Sequence, residues 1–328
     1  MADSVLTFKE IRDQVLGWLD ETGSTGSMLT NVNNAINEAH RRRLTAEKWP
    51  FMLWDSGELI TMVEGQQAYP LHHLFNQPFY FFNRTKKVYL REVSARQLHP
   101  SGARWNTDQD TQRFVLWGRT SVANQPSASS TISIVSSSAA DNIAGKAIIV
   151  CGITASGVEE ESITPNGTSA ATSTKSFTKI LSVTKSAAWT GTMTMTSNSG
   201  AVTNLTLLPT EYGRSYQQMF LLGAPTPGDI IEYRFYRLPR QLVNDNDIPN
   251  IPPGHEQLLV WDTLLAIGAY DSRLDAARKT EWSERQREAL KSLREATLEI
   301  QPIAADSQYI VDVDEDFEQT VGPSVWLV

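Results

Sequence analysis

The chain has 328 residues, 41% hydrophobic and 20% charged, a composition that excludes wholesale disorder, collagen and coiled-coil rods. Its formal charge of −8 argues against a protein that coats nucleic acid with a broadly basic surface. With a single cysteine, Cys151, no signal-peptide pattern at the start, and an apolar stretch at 258–269 that Asp262 interrupts far short of the ~20 residues of a membrane span, a soluble protein made in a reducing cytoplasm is expected.

The first predicted element is a helix. Thr7 and Glu10 form a capping box, Leu6 and Ile11 are placed as a hydrophobic staple, and Phe8, Ile11, Val15, Trp18 and Leu19 fall on one face. Gly23 and the polar run to Ser27 stop it. A second helix carries Leu29, Val32, Ile36 and Ala39 as its stripe and ends before Trp49-Pro50, because a residue preceding proline avoids the helical region. The two are expected to form an antiparallel pair. Runs at 58–63, 87–90 and 113–117 are β-branched or aromatic between turn residues and read as strands of a small sheet.

At about Ser121 the composition shifts. Ser, Thr, Ala and Gly supply 46 of the 80 residues from 121 to 200, and arginine is absent between Arg119 and Arg214. Short strand-like runs recur at 131–135, 147–151, 161–164, 177–183, 192–196 and 202–207, with turn residues between them, the spacing of an all-β sandwich. Arginine and aromatics then return. Residues 230–236 alternate as a strand, 239–253 read as a proline-bounded loop, 254–270 as an apolar helix, and 272–300 as a charged helix with Trp282, Ala289, Leu293 and Ala296 as a narrow stripe. Residues 303–328 contain strand-like apolar residues among acids and have no evident core of their own. Without the six acids of that tail, 29 cations face 31 acids, so the acidity belongs largely to one segment.

Signatures of catalysis are missing. His255-Glu256 meets Leu259 where a zincin needs its second histidine, and no dinucleotide, phosphate-loop or nucleophile-elbow motif occurs. Asp312, Asp314 and Asp316 begin like a calcium loop, but Phe317 and Pro323 stand where glycine and glutamate are required. His72-His73 has no metal-ligating neighbour in sequence, and as adjacent loop residues the two are expected to point apart. Cys151 reads as a buried small hydrophobe. The sequons at Asn83, Asn166 and Asn204 are idle without a secretory signal. The aromatics at 49–54 and 75–82 are expected to pack in a core or a subunit interface, with a sugar-binding platform as the alternative. Arg41, Arg42 and Arg43 are candidates for contact with a portal or with phosphate, against a plain reading as a solvated helix end. No enzyme, cofactor or metal is expected.

The order of features resembles the head–tail connector, or adaptor, proteins of tailed bacteriophages. The resemblance rests on Ile36-Asn37-Glu38-Ala39, Trp49-Pro50-Phe51, the turn from Glu64 to Leu71, and the return segment Asp247-Ile248-Pro249-Asn250-Ile251-Pro252 leading through an apolar helix to Tyr270-Asp271 and a charged one. The middle resembles Ig-like insertions of phage structural proteins in Asp141, Gly145, Gly152, Gly157, Glu161-Ser162-Ile163, Asn166-Gly167 and Phe177. The implied fold is α+β: helices from both ends with a small antiparallel sheet (1–120 and 208–302), an inserted Ig-like β-sandwich (121–207) and an extended acidic arm (303–328). The implied role is a homo-oligomeric ring of about twelve copies between portal and tail or nozzle, in the virion neck, assembled in the host cytoplasm. Double-stranded DNA would pass through it without specific binding, and no membrane is involved. Asp312, Asp314, Asp316, Phe317 and Trp326 are the expected docking residues of the arm. The alternative is a minor tail or host-attachment protein whose Ig-like module binds a surface glycan. The scarcity of aromatics there, Phe177 and Trp189 within 121–205, disfavours it.

Overall fold

The computed structural model describes residues 5–21, 25–64, 66–93, 112–143, 145–222, 225–269 and 275–299. The expected arm residues Asp312, Asp314, Asp316, Phe317 and Trp326 lie outside them. The fold is α+β, and the chain divides into two compact units, one formed by residues 1–53 with 238–328 and the other by 54–237. The composition shift at Ser121 falls inside the second unit, between its two cores.

The first unit is helical. α1 (Phe8–Trp18) begins at Thr7, whose hydroxyl accepts the Glu10 amide while Glu10 accepts the Thr7 amide. That reciprocal cap satisfies donors the helix cannot pair itself. Phe8, Ile11, Val15 and Leu16 are its buried face. α2 (Ser27–Ala46) buries Val32, Ile36, Ala39, His40 and Leu44, and Glu47 leaves the helix in extended conformation three residues before Pro50. α3 (Gln257–Gly268) buries seven consecutive residues from Leu258 to Leu264, so it has no polar face, and it touches α1, α2 and α4. α4 (Ala276–Glu299) is the opposite case, with Trp282, Leu293 and Thr297 buried and most of its surface exposed.

The second unit holds four sheets around two cores. One sheet has the order β1 (Glu58–Thr61), β15 (Ile230–Arg237), β3 (Phe75–Asn83), β4 (Val88–Tyr89); its companion runs β2 (Ala68–Pro70), β14 (Tyr216–Leu221), β6 (Arg113–Thr120), β5 (Arg91–Glu92). Phe75, Phe81, Phe114, Met219, Tyr233 and Phe235 are among the residues of their shared core. The chain crosses from one sheet to the other at Leu90, whose amide donates to Phe81. The single small antiparallel sheet expected from three runs is thus two sheets, and the β5–β6 pair within them is parallel. β2, β3, β5 and β14 lie outside the runs whose pattern predicts strands, as does Ala171–Phe177 further on, up to its last residue.

The Ser/Thr-rich stretch forms the other two sheets, β10 (Ala171–Phe177), β7 (Ser130–Ser136), β12 (Met193–Ser197), β13 (Val202–Leu207) and β11 (Lys179–Lys185), β8 (Ile148–Thr154), β9 (Gly157–Ile163). Their strands alternate buried with partly buried or exposed residues, and Ile132, Ile134, Val150, Phe177, Met193 and Met195 belong to one cluster shared by both sheets. Small outward side chains explain the composition, since a strand with one solvated face needs apolar residues only at alternate positions. Gly152 is required by close approach: a Cβ there would stand 2.5 Å from the Lys179 carbonyl and 2.6 Å from the Phe177 ring. Cys151, its neighbour, is half-buried on the face away from the cluster, rather than in the core as expected.

A buried carboxylate clamps this core. Asp141, fully buried, accepts from Ser136 Oγ (2.5 Å), Lys146 Nζ (2.8 Å) and the amides of Thr190 (2.8 Å) and Gly191 (2.9 Å). Burial alone would raise its pKa, but these donors prevail and hold it well below the usual carboxylate range. The stability it confers is therefore present above the unfolded value near 3.8 and declines as pH falls below it. Asp141→Ala is expected to destabilise the β unit by about 3–5 kcal/mol, leaving Lys146 and two amides without their partner. Urea denaturation at neutral pH measures this; a loss under about 1 kcal/mol would show the clamp to be dispensable.

Candidate interaction surfaces

In the helical unit the decisive residue is Asp262, placed on a helix whose buried residues are otherwise apolar except Thr263. Its carboxylate is 4% exposed and receives a bidentate pair from Arg43 (2.6 and 2.7 Å) and the Gln286 side-chain amide (3.0 Å). The Arg43 pKa is raised, first by that hydrogen bond and also by the Coulombic attraction of Asp262. Helices α2, α3 and α4 thereby meet at one charge. Beside it Trp18 and Trp261 pack edge to face with centroids 5.3 Å apart, and the Arg285 guanidinium lies 5.3 Å from one ring and 5.1 Å from the other. Of the three arginines read as possible portal or phosphate contacts, Arg43 is therefore committed to Asp262. Arg41 is exposed and paired with Glu38 at 2.8 Å, and Arg42 is exposed. Nothing in the sequence pattern marks Arg43 apart from its neighbours, since its partner lies 219 residues away.

The 239–253 loop is fastened to α1 and α2. Asp247 and Asp245 carbonyls accept the Phe8 and Lys9 amides at the start of α1, and Arg12 pairs with Asp245 at 2.9 Å. The Asn37 side chain exchanges two hydrogen bonds with the Leu242 backbone. The Asn250 amide donates to His40 Nε2 at 3.1 Å. Burial lowers the His40 pKa to about 4, so it is neutral and able to accept. Val243 and Ile248, more than half exposed, project from the same loop.

In the β unit, His72 and His73 lie ring to ring, with centroids 4.4 Å apart. The expectation that they point apart fails because the chain turns at this point, the Phe75 amide donating to the His72 carbonyl. Burial lowers both pKa values, that of His73 to about 4, with Arg214 adding to the effect. They line a cleft of about 700 Å³ with Glu58, Arg214, Tyr216 and Tyr233. Among the described residues no cluster of three His, Cys, Asp or Glu side chains could hold a metal. No described helix is long and apolar enough to cross a membrane.

The aromatic run splits between two environments. Phe75 and Phe81 enter the core, whereas a chain of ring contacts runs outside it: Phe82–Tyr89 (4.9 Å), Tyr89–Tyr80 (5.9 Å), Tyr80–Phe79 (5.7 Å) and Phe79–Tyr236 (6.0 Å). Arg234 lies over Tyr80 at 5.8 Å, and Phe79 and Tyr89 are 41% and 49% exposed. Such a contiguous aromatic face is unusual on a surface that meets only water.

Residues 156–307 match the family model described as SU10 adaptor protein. The matched span takes in β9 to β15, α3 and α4. No curated protein matches the chain. The family match supports a phage structural adaptor, a virion component that interacts with other structural proteins of the phage.

Arg43→Met or Asp262→Leu is expected to cost about 3–5 kcal/mol, because each strands a buried charge, while the two together recover most of that loss. Denaturant midpoints of the two single variants and the double variant check this; equal additive losses would mean the two residues are not coupled. For His40, protonation favours the unfolded chain below the ordinary value of 6.5, so stability is full above it and falls toward pH 4. A loss on the order of 3 kcal/mol across that window follows from the shift. Melting curves from pH 7 to 4.5 should show it, and His40→Leu should flatten that part of the profile.

Proposed function

We propose that the chain is a structural protein of a phage neck, copies of which close a ring that joins the portal vertex of the capsid to the tail or nozzle and lets DNA through. The observation that carries this reading is the family match over 156–307. A long, charged, mostly exposed α4 suits side-by-side packing in a ring, where each subunit offers different surfaces to its two neighbours. The helical unit, held together by Asp262, is the part we assign to the ring body. The Ser/Thr-rich sheets at 121–207 are proposed as an inserted Ig-like domain that decorates the outside.

No step of catalysis is assigned to the chain, and no cofactor. The acidic segment 303–328 is proposed as the arm that docks on a partner, with Phe317 and Trp326 as anchors and Asp312, Asp314 and Asp316 in reserve for cationic contacts. Arg41 and Arg42 remain available at the surface for a portal or a phosphate. The near-neutral charge of the chain outside residues 303–328, 29 cations against 31 acids, suits a channel that does not hold DNA. Assembly in the host cytoplasm and residence between capsid and tail complete the reading. The receptor-binding alternative gains no support from the aromatic face, because those rings stand on β3, β4 and β15 and not on the Ser/Thr-rich sheets.

Mass photometry of the purified chain, from micromolar to nanomolar concentration, tests the ring. A closed species of about twelve copies is expected, formed alone or on addition of the portal protein. A chain that stays monomeric in both conditions would overturn the ring and return the attachment reading to the front.

A further inference from the structure

Strands at the end of a sheet expose unpaired main-chain donors and acceptors, and folded proteins guard them against pairing with other chains. The guards are visible here. β9 and β10 end their respective sheets and are stitched to each other: Glu161 of β9 accepts the amides of Thr174 (2.6 Å) and Lys175 (2.9 Å) on β10. β11 and β13 are covered by the segment before β7. The Gln125 side chain both donates to and accepts from the Ile180 backbone, and Ala123 and Asn124 donate to the Asn204 and Thr203 carbonyls. β4 and β5 are two residues long, and β2 is three residues ending in Pro70.

β1 has none of these devices. Glu58–Thr61 pairs with β15 on one side, ends its sheet on the other, and contains no proline, lysine or register shift. Leu59 within it is 55% exposed and Val63 just beyond is 51% exposed. Residues of β1 and β2 line the cleft of about 700 Å³ together with Asn124, Thr203 and Thr206. The two sheets of this core are joined at one end through Leu90, between β4 and β5; β1 and β2, at their other ends, are not paired with each other. Just past β1 the Tyr69 hydroxyl of β2 bonds the Val63 backbone, but Glu58–Thr61 itself has no strand partner on that side among the described residues.

We propose that β1 receives an extended strand from a second copy of this chain, supplied by residues 307–313. The sequence Ser307-Gln-Tyr-Ile-Val-Asp-Val313 has neither glycine nor proline and is rich in the β-branched and aromatic residues that strands favour. Alternation would put Tyr309, Val311 and Val313 on one face, for the apolar rim at Leu59 and Val63, and Ile310 and Asp312 on the other. The described chain ends at Glu299, so residues 300–306 lead to the run and span about 25 Å when extended. That leaves the residues beyond 313, including Phe317 and Trp326, free to continue to another partner. Each copy gives one strand and takes one, a head-to-tail contact of the kind that closes rings. The presence of a neighbour rests on the ring reading; the choice of β1 rests on the sheet edges alone.

Full-length chains carrying Cys151→Ser and Leu59→Cys, combined in turn with Tyr309→Cys, Val311→Cys or Val313→Cys, test it under mild oxidation. Leu59 is exposed, so the fold should tolerate its replacement. One of the three registers is expected to give a ladder of covalent multimers on non-reducing gels, absent when the first cysteine is moved to the exposed Leu181 of the guarded strand β11. Rings by mass photometry with no ladder in any register overturn the strand exchange and leave the ring standing. Cross-linked monomers alone overturn the second copy. If the chain proves monomeric, a peptide of residues 303–316 carrying Val311→Cys is offered to the Leu59→Cys chain: an adduct supports β1 as the acceptor although the ring has failed, and no adduct overturns the proposal.

Discussion

A carboxylate inside an apolar helix is the constraint from which the helical unit follows. α3 buries Leu258 to Leu264 without a break, so Asp262 has no route to water and must be matched within the protein. One matching group, Arg43, comes from the first fifty residues; another, Gln286, comes from the last fifty. The two ends of the chain are therefore obliged to meet, and everything between 54 and 237 has to leave and return as a separate unit. Hydrophobic burial supplies the stability of such a unit, yet burial is not directional and would tolerate several helix registers. A bidentate guanidinium–carboxylate pair tolerates one, which is the specificity that geometry of this kind adds.

The β unit uses the same device at smaller scale. Asp141 gathers the end of β7, the following turn and the loop before β12 around one buried charge. Lys185, also buried, donates to the carbonyls of Leu208 and Pro209 and lies against the Trp189 ring, fixing the strand that leads out of the sandwiched sheets. Burial lowers its pKa, opposed by Glu211 and Asp141. Small outward side chains make these sheets weak in directional contacts, so a few charged clamps set the loops that the cores alone would leave loose.

Much of the fold was legible where one physical rule acts alone. The capping box at Thr7 and Glu10 is a local arrangement and appears as read; the alternating pattern at 230–236 has one buried face and becomes β15. β3 was not legible, because its aromatic residues stand on both sides of the strand, one set in the core and one in the outer ring chain, and Pro78 interrupts it. A period of two disappears when both faces are apolar. β14, with Gln217 and Gln218 at its centre, lacks a pattern for a different reason: it sits between β2 and β6 and is specified by them. The pairing of Arg43 with Asp262 could not be read at all, since no rule of spacing links residues 219 apart. The site was thus less legible than the fold, and the triple arginine was misleading in the one member that the core consumes.

Several exposed apolar groups stand on ordered backbone. Some are scattered singly, as on any protein surface, among them Trp117, Ile143, Val158 and Leu208. Others are grouped: Leu59 and Val63 follow one unguarded edge, Phe79 and Tyr89 belong to one chain of rings, and Val243 and Ile248 share one fastened loop. Rigid backbone holds each group in place: β15 beside the first, the β3–β15 pair beneath the second, and α1 and α2 beneath the third. Apolar side chains presented on fixed backbone lose little conformational entropy when a partner covers them, which is the condition under which a modest surface binds well. Surfaces of this kind suit contact with other proteins, in keeping with the adaptor family whose model matches residues 156–307.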